Sequence, residues 1–174
     1  MTTKTDKKEQ SVKDKKIPPV TIENAKLIYR NFGGVAKKFN AKGLRNFHVV
    51  LDPGVAQMLE RDGWNVRWND PKDDGDVASA SIKVSIRFDN YPPRIVIISS
   101  KGKTVLDEDS VDILDWAEIQ SCDVQLSPYS WEVDKKQGIK AYLRKMFVTL
   151  NEEDLESKYS DVALSSKHRK EDDD

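Results

Sequence analysis

Between Ala80 and Asp89 the chain alternates, with Ile82, Val84, Ile86 and Phe88 on one side and Lys83, Ser85 and Arg87 on the other. A period of two sends successive side chains to opposite faces of a sheet, so this segment predicts a half-buried strand. RIVIIS is a shorter, more fully apolar strand, RNFHVVLD and WNVRW are further candidates, and GIKAYLRKMFVTL is a long one. The helical signals are few. PGVAQMLERDG opens with Asp52 as cap and Pro53 in the first turn and is stopped by Gly63. VDILDWAEIQ reads as a second short helix and NEEDLESKYS as a third over the C-terminal edge of the sheet. DNYPPR, between two strong strands, must be a turn or loop, because two prolines cannot sit in a ladder. PKDDGD is the most polar loop of the middle region. Five or so strands with a few short helices favour a mainly β fold, a small closed or partly open barrel rather than a sandwich.

The two ends depart from this pattern. Residues 1–19 carry six lysines against three acids, net +3, with only Met1, Val12 and Ile17 able to bury much surface. Residues 161–174 carry three basic and five acidic residues, net −2, and finish in EDDD. Both read as disordered, which leaves residues 20–160 as one domain. With 29 Lys plus Arg against 30 Asp plus Glu, the formal charge of −1 does not advertise a nucleic-acid binder, so any such function must come from local arrangement. One cysteine, Cys122, excludes an internal disulfide and a Cys-pair zinc site and fits an intracellular setting. MTTKTDKKEQ lacks the apolar stretch of a signal peptide, and no segment approaches the roughly 20 apolar residues of a membrane helix.

The search for catalytic chemistry is mostly negative. GxxxxGK, GxGxxG, HExxH and GxSxG are missing, and no cofactor site is expected. His48 sits within a strand and reads as a structural imidazole, while His168 falls in the tail; neither has ligand-spaced neighbours. Gly33-Gly34 is a pair of permissive backbone positions. The cluster Asp107, Glu108, Asp109, Asp112 and Asp115 has enough carboxylates for magnesium, but Asp109 or Ser110 suits a helix cap and Asp112 its first turn. No lysine or histidine follows at short spacing to complete a nuclease, so neither a catalytic nor a metal site is assigned.

The positive signal is aromatic residues interleaved with basic ones. Tyr29, Phe32 and Phe39 stand among Arg30, Lys37 and Lys38; Tyr91 is near Arg94; Tyr129 and Trp131 share PYSWEV; and Lys140, Tyr142 and Arg144 alternate on one strand face. Single-stranded nucleic acid calls for this combination, since each exposed base gains about 1 to 3 kcal/mol by stacking on a ring while cations neutralise the phosphates. Of the 14 aromatics, Phe47, Trp64, Phe88, Trp116 and Phe147 stand in register with aliphatic residues and are core candidates, with Trp68 beside them. Tyr91, Tyr129, Trp131 and Tyr142 lie in loops or among charges and are stacking candidates, whereas Phe32 and Phe39 fit either role.

NFGGVAKKFNAKGLRNFHVVLDPGVAQMLERDGWNVRW, IKVSIRFDNYPPRIVII, LDEDSVDILDWAEI and PYSWEV followed by GIKAYLRKMFVTL resemble bacteriophage single-stranded DNA-binding proteins of the oligonucleotide-binding (OB) barrel type. The resemblance covers about residues 22–159. It implies an OB-like barrel that coats single strands during phage replication or recombination, in the host cytoplasm, without strong sequence preference. In such a protein Arg87, Arg94, Lys140, Tyr142 and Arg144 would floor a groove. Phe32, Lys37, Lys38, Phe39 and Arg45 would form one wall, with Tyr91, Tyr129 and Trp131 at the rim. Such proteins often recruit replication or recombination proteins through an acidic C-terminus, which Asp172, Asp173 and Asp174 resemble. This chain ends in aspartate rather than in the aromatic or apolar residue of several known tails, which favours competition with DNA for the groove over pocket-type recruitment. A sheet edge in a small barrel leaves a homodimer or a filament along DNA open. The rival readings are a protein-interaction module whose exposed rings anchor an interface and, behind it, a magnesium nuclease on Asp107 to Asp115.

Overall fold

The computed structural model describes residues 17–70 and 79–151. The expected basic arm over 1–19, the PKDDGD loop, the NEEDLESKYS helix, His168 and the acidic tail lie wholly or largely outside them.

Among the described residues, nine strands, one α-helix and one 3-10 helix follow in order: β1 Val20–Ile22, β2 Lys26–Asn31, β3 Arg45–Leu51, α1 Pro53–Arg61, β4 Val66–Asn69, β5 Ser79–Ile86, β6 Arg94–Ser99, β7 Gly102–Leu106, the 3-10 helix Val111–Asp115, β8 Ile119–Val133 and β9 Lys136–Leu150. They build one mixed sheet with the path β1-β8-β9-β5-β3-β2; β4 pairs β5, β6 pairs β9, and β7 pairs β6. The two ends of that path, β1 and β2, are consecutive in the chain and separated only by Glu23, Asn24 and Ala25. The sheet must therefore curl until its ends meet, and Ala25 N donates to Cys122 O of β8 at 2.7 Å across the junction. No β1–β2 ladder forms, so the mainly β, OB-like architecture is a partly open barrel rather than a closed one.

The period-two reading places the core. Phe47, Val49 and Leu51 of β3 lie opposite Val84, Ile82 and Ala80 of β5, all buried, with Ile86, Ile95, Ile97, Val124 and Leu126 alongside. The thiol of Cys122 lies in the same core and is pushed up to about 12, chiefly by burial. In α1 the Asp52 side chain accepts from Gly54 N at 3.1 Å, Pro53 occupies the first turn, and Gly63 follows with φ +100, as the capping signals require. Ala56 and Leu59 are the residues this helix buries.

Three expectations need correction. VDILDWAEIQ forms only the five-residue 3-10 helix, and β8 begins at Ile119. The Ser110 side chain does not cap it; instead Asp107 accepts from Asp109 N and Ser110 N, both at 3.0 Å, and from Ser110 Oγ at 2.8 Å. These bonds, that from Ser110 Oγ foremost, hold the Asp107 carboxyl below its ordinary range. Asp115 turns back to accept from Phe32 N and Gly33 N, tying this segment to the end of β2. Trp116, expected in the core, is therefore left 54% exposed beyond the helix end. Phe147 is likewise 36% exposed, because the β8–β9 register shifts between Gln125 and Leu126 and reverses which side chains of β9 point inward. The hairpin joining β8 to β9 turns on Asp134 and Lys135, both at positive φ, without the Asn-Gly pair that would have announced it.

Candidate nucleic-acid interface

The β8–β9 hairpin supplies most of the site. Directly opposed residues of an antiparallel pair share a face, and Tyr129 lies opposite Lys140, Ser127 opposite Tyr142, and Gln125 opposite Lys145. On the other edge of β9, Tyr142 pairs in parallel register with Ser85, which brings Lys83 and Arg87 of the β5 segment onto the same outer surface. The Tyr129 and Tyr142 rings meet edge to face, 5.8 Å between centroids at 86°, and Lys140 Nζ sits 5.0 Å from the Tyr142 centroid.

One extra residue in β9 extends this surface. Leu143 pairs with Leu126 but Lys145 pairs with Gln125, so Arg144 is the bulged residue between them. A bulge breaks strict alternation, and here Arg144 and Lys145 are both exposed on the groove side while Leu143 and Met146 point into the core.

Two adjoining cavities result, sharing Arg87 and Tyr142. The larger, about 720 Å³, is lined by Arg87, Asn90, Tyr91, Pro92, Arg94, Ser127, Pro128, Tyr129 and the run from Tyr142 to Lys145. The smaller, about 480 Å³, is bounded by Gly43 to Asn46, Lys83, the segment from Ser85 to Asp89, Glu108, Lys140 and Tyr142. Tyr91 rises from the DNYPPR loop 89% exposed, with φ +52, a conformation that non-glycine residues adopt at a cost of about 1 kcal/mol.

Of the expected groove residues, Arg87, Tyr91, Arg94, Tyr129, Lys140, Tyr142 and Arg144 thus come together. Arg45 reaches the smaller cavity but is committed structurally: it donates to Phe32 O at 2.7 Å, lies 5.3 Å from the Phe88 ring and 3.8 Å from Glu108. Phe32 is fully buried and stacked on Phe47 at 4.9 Å, so it has no face for a base, and its place in the groove wall is withdrawn. Trp131 lies outside both cavities, its ring packed so closely across Gly138 that an added Cβ there would come within 2.8 Å.

Lys37, Lys38 and Phe39 stand apart on the loop between β2 and β3. Asn31 and Val35 exchange two hydrogen bonds of 2.9 Å, and the Asn40 amide reaches Val35 O, Ala41 O and Leu44 O. Gly34, at φ +68, packs so closely on the Gly43 backbone that a Cβ would lie 3.1 Å from it. This bracing presents Phe39 92% exposed, with Lys38 Nζ 5.5 Å from its ring. Arg30 is spent on Leu114 O and Ala117 O.

Residues that sequence reasoning left out are Lys83, Lys145, Ser127 and Asp89. Lys83 was signalled by its parity with Arg87, and Lys145 by the two successive cations flanked by apolar pairs. Asp89 accepts from Arg87 Nε at 3.1 Å and Nη2 at 2.8 Å; this pairing holds its carboxyl below the ordinary value and raises that of the guanidinium. Among the described residues no three His, Cys, Asp or Glu side chains gather to hold a metal, and Asp107 and Asp115 are bound to backbone N–H groups instead. No helix among these residues is long and apolar enough to cross a membrane.

A curled, partly open β sheet with paired tyrosines and cations on its outer face defines an OB-like protein with a surface suited to single-stranded nucleic acid. Residues 9–173 match the family described as "Putative phage ssDNA-binding domain", and the chain belongs to that phage single-stranded DNA-binding family. Its fold is similar to that of the single-stranded DNA-binding protein from bacteriophage Enc34 in complex with ssDNA, with 8% identity, TM-score 0.52, and coverage of 76% of this chain and 86% of that one. A second structure of the Enc34 protein aligns over 76% of this chain and 81% of that one, with 8% identity and TM-score 0.51. No curated protein matches the sequence.

Proposed function

We propose that this phage single-stranded DNA-binding protein holds its strand in the two joined cavities, with bases on Tyr129, Tyr142 and Tyr91 and phosphates on Arg94, Lys140, Arg144 and Lys145, while Arg87 is held in reserve by Asp89. The observation that carries the reading is the convergence of two ring-paired tyrosines and five cations on one sheet face. Every base has a π face, so stacking on tyrosine tolerates any sequence, and cations that touch only phosphates carry no sequence information. The protein then acts as an equilibrium binder without a chemical step, coating single strands in replication or recombination in the host cytoplasm. Phe39, with Lys37 and Lys38, forms a separate exposed finger that adds contact at the edge of the same strand. The acidic tail, Asp172, Asp173 and Asp174, competes electrostatically with DNA for the groove and offers a handle to replication proteins.

The test is a titration of labelled oligothymidine across a salt series. Tyr142→Ala and Tyr129→Ala should each weaken binding by about 1 to 3 kcal/mol with little change in salt slope. Arg144→Gln should lower the slope of log affinity against log salt by about 0.7. Wild-type binding by both tyrosine variants would overturn the groove.

A further inference from the structure

We propose that the DNA track continues past Tyr142, across β5 and β3, to a second station built from Tyr29, His48, Lys83 and Arg67 that takes a further base and phosphate of the same strand. This rests on the groove reading above and extends it.

The register draws the path. Lys140 and Lys83 line the same smaller cavity, His48 lies opposite Lys83, and Ile28, next to Tyr29, lies opposite His48. Arg67 joins from β4, opposite Ser81 on the same outer face. From β9 to β2 is three ladder spacings, about 14 Å, so a strand leaving Tyr142 crosses the sheet to reach the station.

The station is built for contact rather than for packing. The β2–β3 register shifts between Ile28 and Asn31, and within that bulge Tyr29 adopts φ +51. A bulge re-aims a side chain, and a tyrosine kept in the left-handed region holds a conformation that glycine would adopt without strain. The outcome is a ring 68% exposed, held perpendicular to the His48 imidazole at 5.3 Å. The imidazole backs that ring from the sheet, with its Nδ1 buried and without a hydrogen bond to protein. The charged groups acting on that imidazole are Lys83 and Arg67, both cationic; together with burial, the largest cause, they lower its pKa and keep it neutral near pH 7. An exposed aromatic platform with two cations beside it fits a nucleotide better than an apolar or cationic partner.

Oligothymidines of about 5 and about 15 nucleotides, which bracket the usual OB-type footprint, test this. Tyr29→Gly suits the backbone at that position and so keeps the fold. It should weaken the long oligonucleotide roughly fivefold to a hundredfold and leave the short one, which the Tyr142 groove accommodates, unchanged. Arg67→Gln, outside both cavities, should lower the salt slope by about 0.7 for the long strand only. Tyr142→Ala should weaken both lengths, and its failure to do so would overturn the groove reading. If Tyr142→Ala acts as expected but Tyr29→Gly binds the long strand like wild type, or weakens both lengths equally, the second station is wrong.

Discussion

Asp89 restrains the groove it borders. Its two carboxylate oxygens engage Arg87 at 2.8 and 3.1 Å, so a phosphate that uses this guanidinium must displace or share a partner already in place. Asp89→Asn keeps the side-chain size, removes the charge and frees Arg87. One added phosphate contact on a single strand steepens the salt dependence by about 0.7 in log affinity per log salt. Between about 50 and 200 mM salt, a fourfold change, the affinity advantage of the variant should therefore shrink by about 2.6-fold. Anisotropy of a labelled oligothymidine over that salt range measures this directly. Asp62→Asn, at the C-terminal end of α1 and outside both cavities, carries the same change in net charge and should leave the slope alone. A slope for Asp89→Asn that coincides with wild type, or one matched by Asp62→Asn, would refute the idea that Arg87 is held in reserve. Mild acid should not imitate the variant. The hydrogen bonds from Arg87 depress the Asp89 carboxyl, so it stays ionised as pH falls and is neutralised only below the ordinary Asp value of about 3.9.

Phe39→Ala removes a ring that is 92% exposed, so thermal stability should change by less than about 0.5 kcal/mol while single-strand affinity falls by about 1 to 3 kcal/mol; equal binding would detach the β2–β3 loop from the DNA path. Phe32→Ala should do the reverse. It empties a fully buried site stacked on Phe47 and should cost about 3 to 5 kcal/mol in a denaturant titration, with the folded fraction binding oligothymidine as before.

The sheet was legible wherever alternation runs uninterrupted. Ile82, Val84 and Ile86 are buried as their spacing demands, and so are Phe47, Val49 and Leu51. Capping chemistry was equally readable in α1, where Asp52, Pro53 and Gly63 each act locally. The segment after Ser110 was not, because its shape is set by a long-range bond: Asp115 serves the Phe32 and Gly33 N–H groups instead of extending a helix. The same competition decided Arg30 and Arg45, which look like phosphate ligands in the sequence. Both are consumed by carbonyl oxygens, at Leu114 and Ala117 for the first and Phe32 for the second, and such partners carry no local sequence signature.

Both proposed stations for DNA lie where alternation fails. In β9 the buried residues run Ile139, Ala141, Leu143 and then Met146, Val148, Leu150, a spacing of two broken once by three. Strict alternation through that point would bury Lys145 and Phe147 and expose Met146 and Val148, which no core would tolerate. The chain resolves the conflict with one bulged residue, and the surface beside the bulge is where two adjacent cations emerge together. The apolar spacing thus carries the bulge in the sequence, and reading it would have predicted both the exposed Phe147 and the contribution of Lys145. The β2 bulge has no such signature, since Leu27 and Ile28 are both half-buried and Tyr29 differs from its neighbours only in its backbone. In each place the pleat alone would aim the side chains alternately into the core, and a local break in the ladder turns them outward, onto the proposed DNA track.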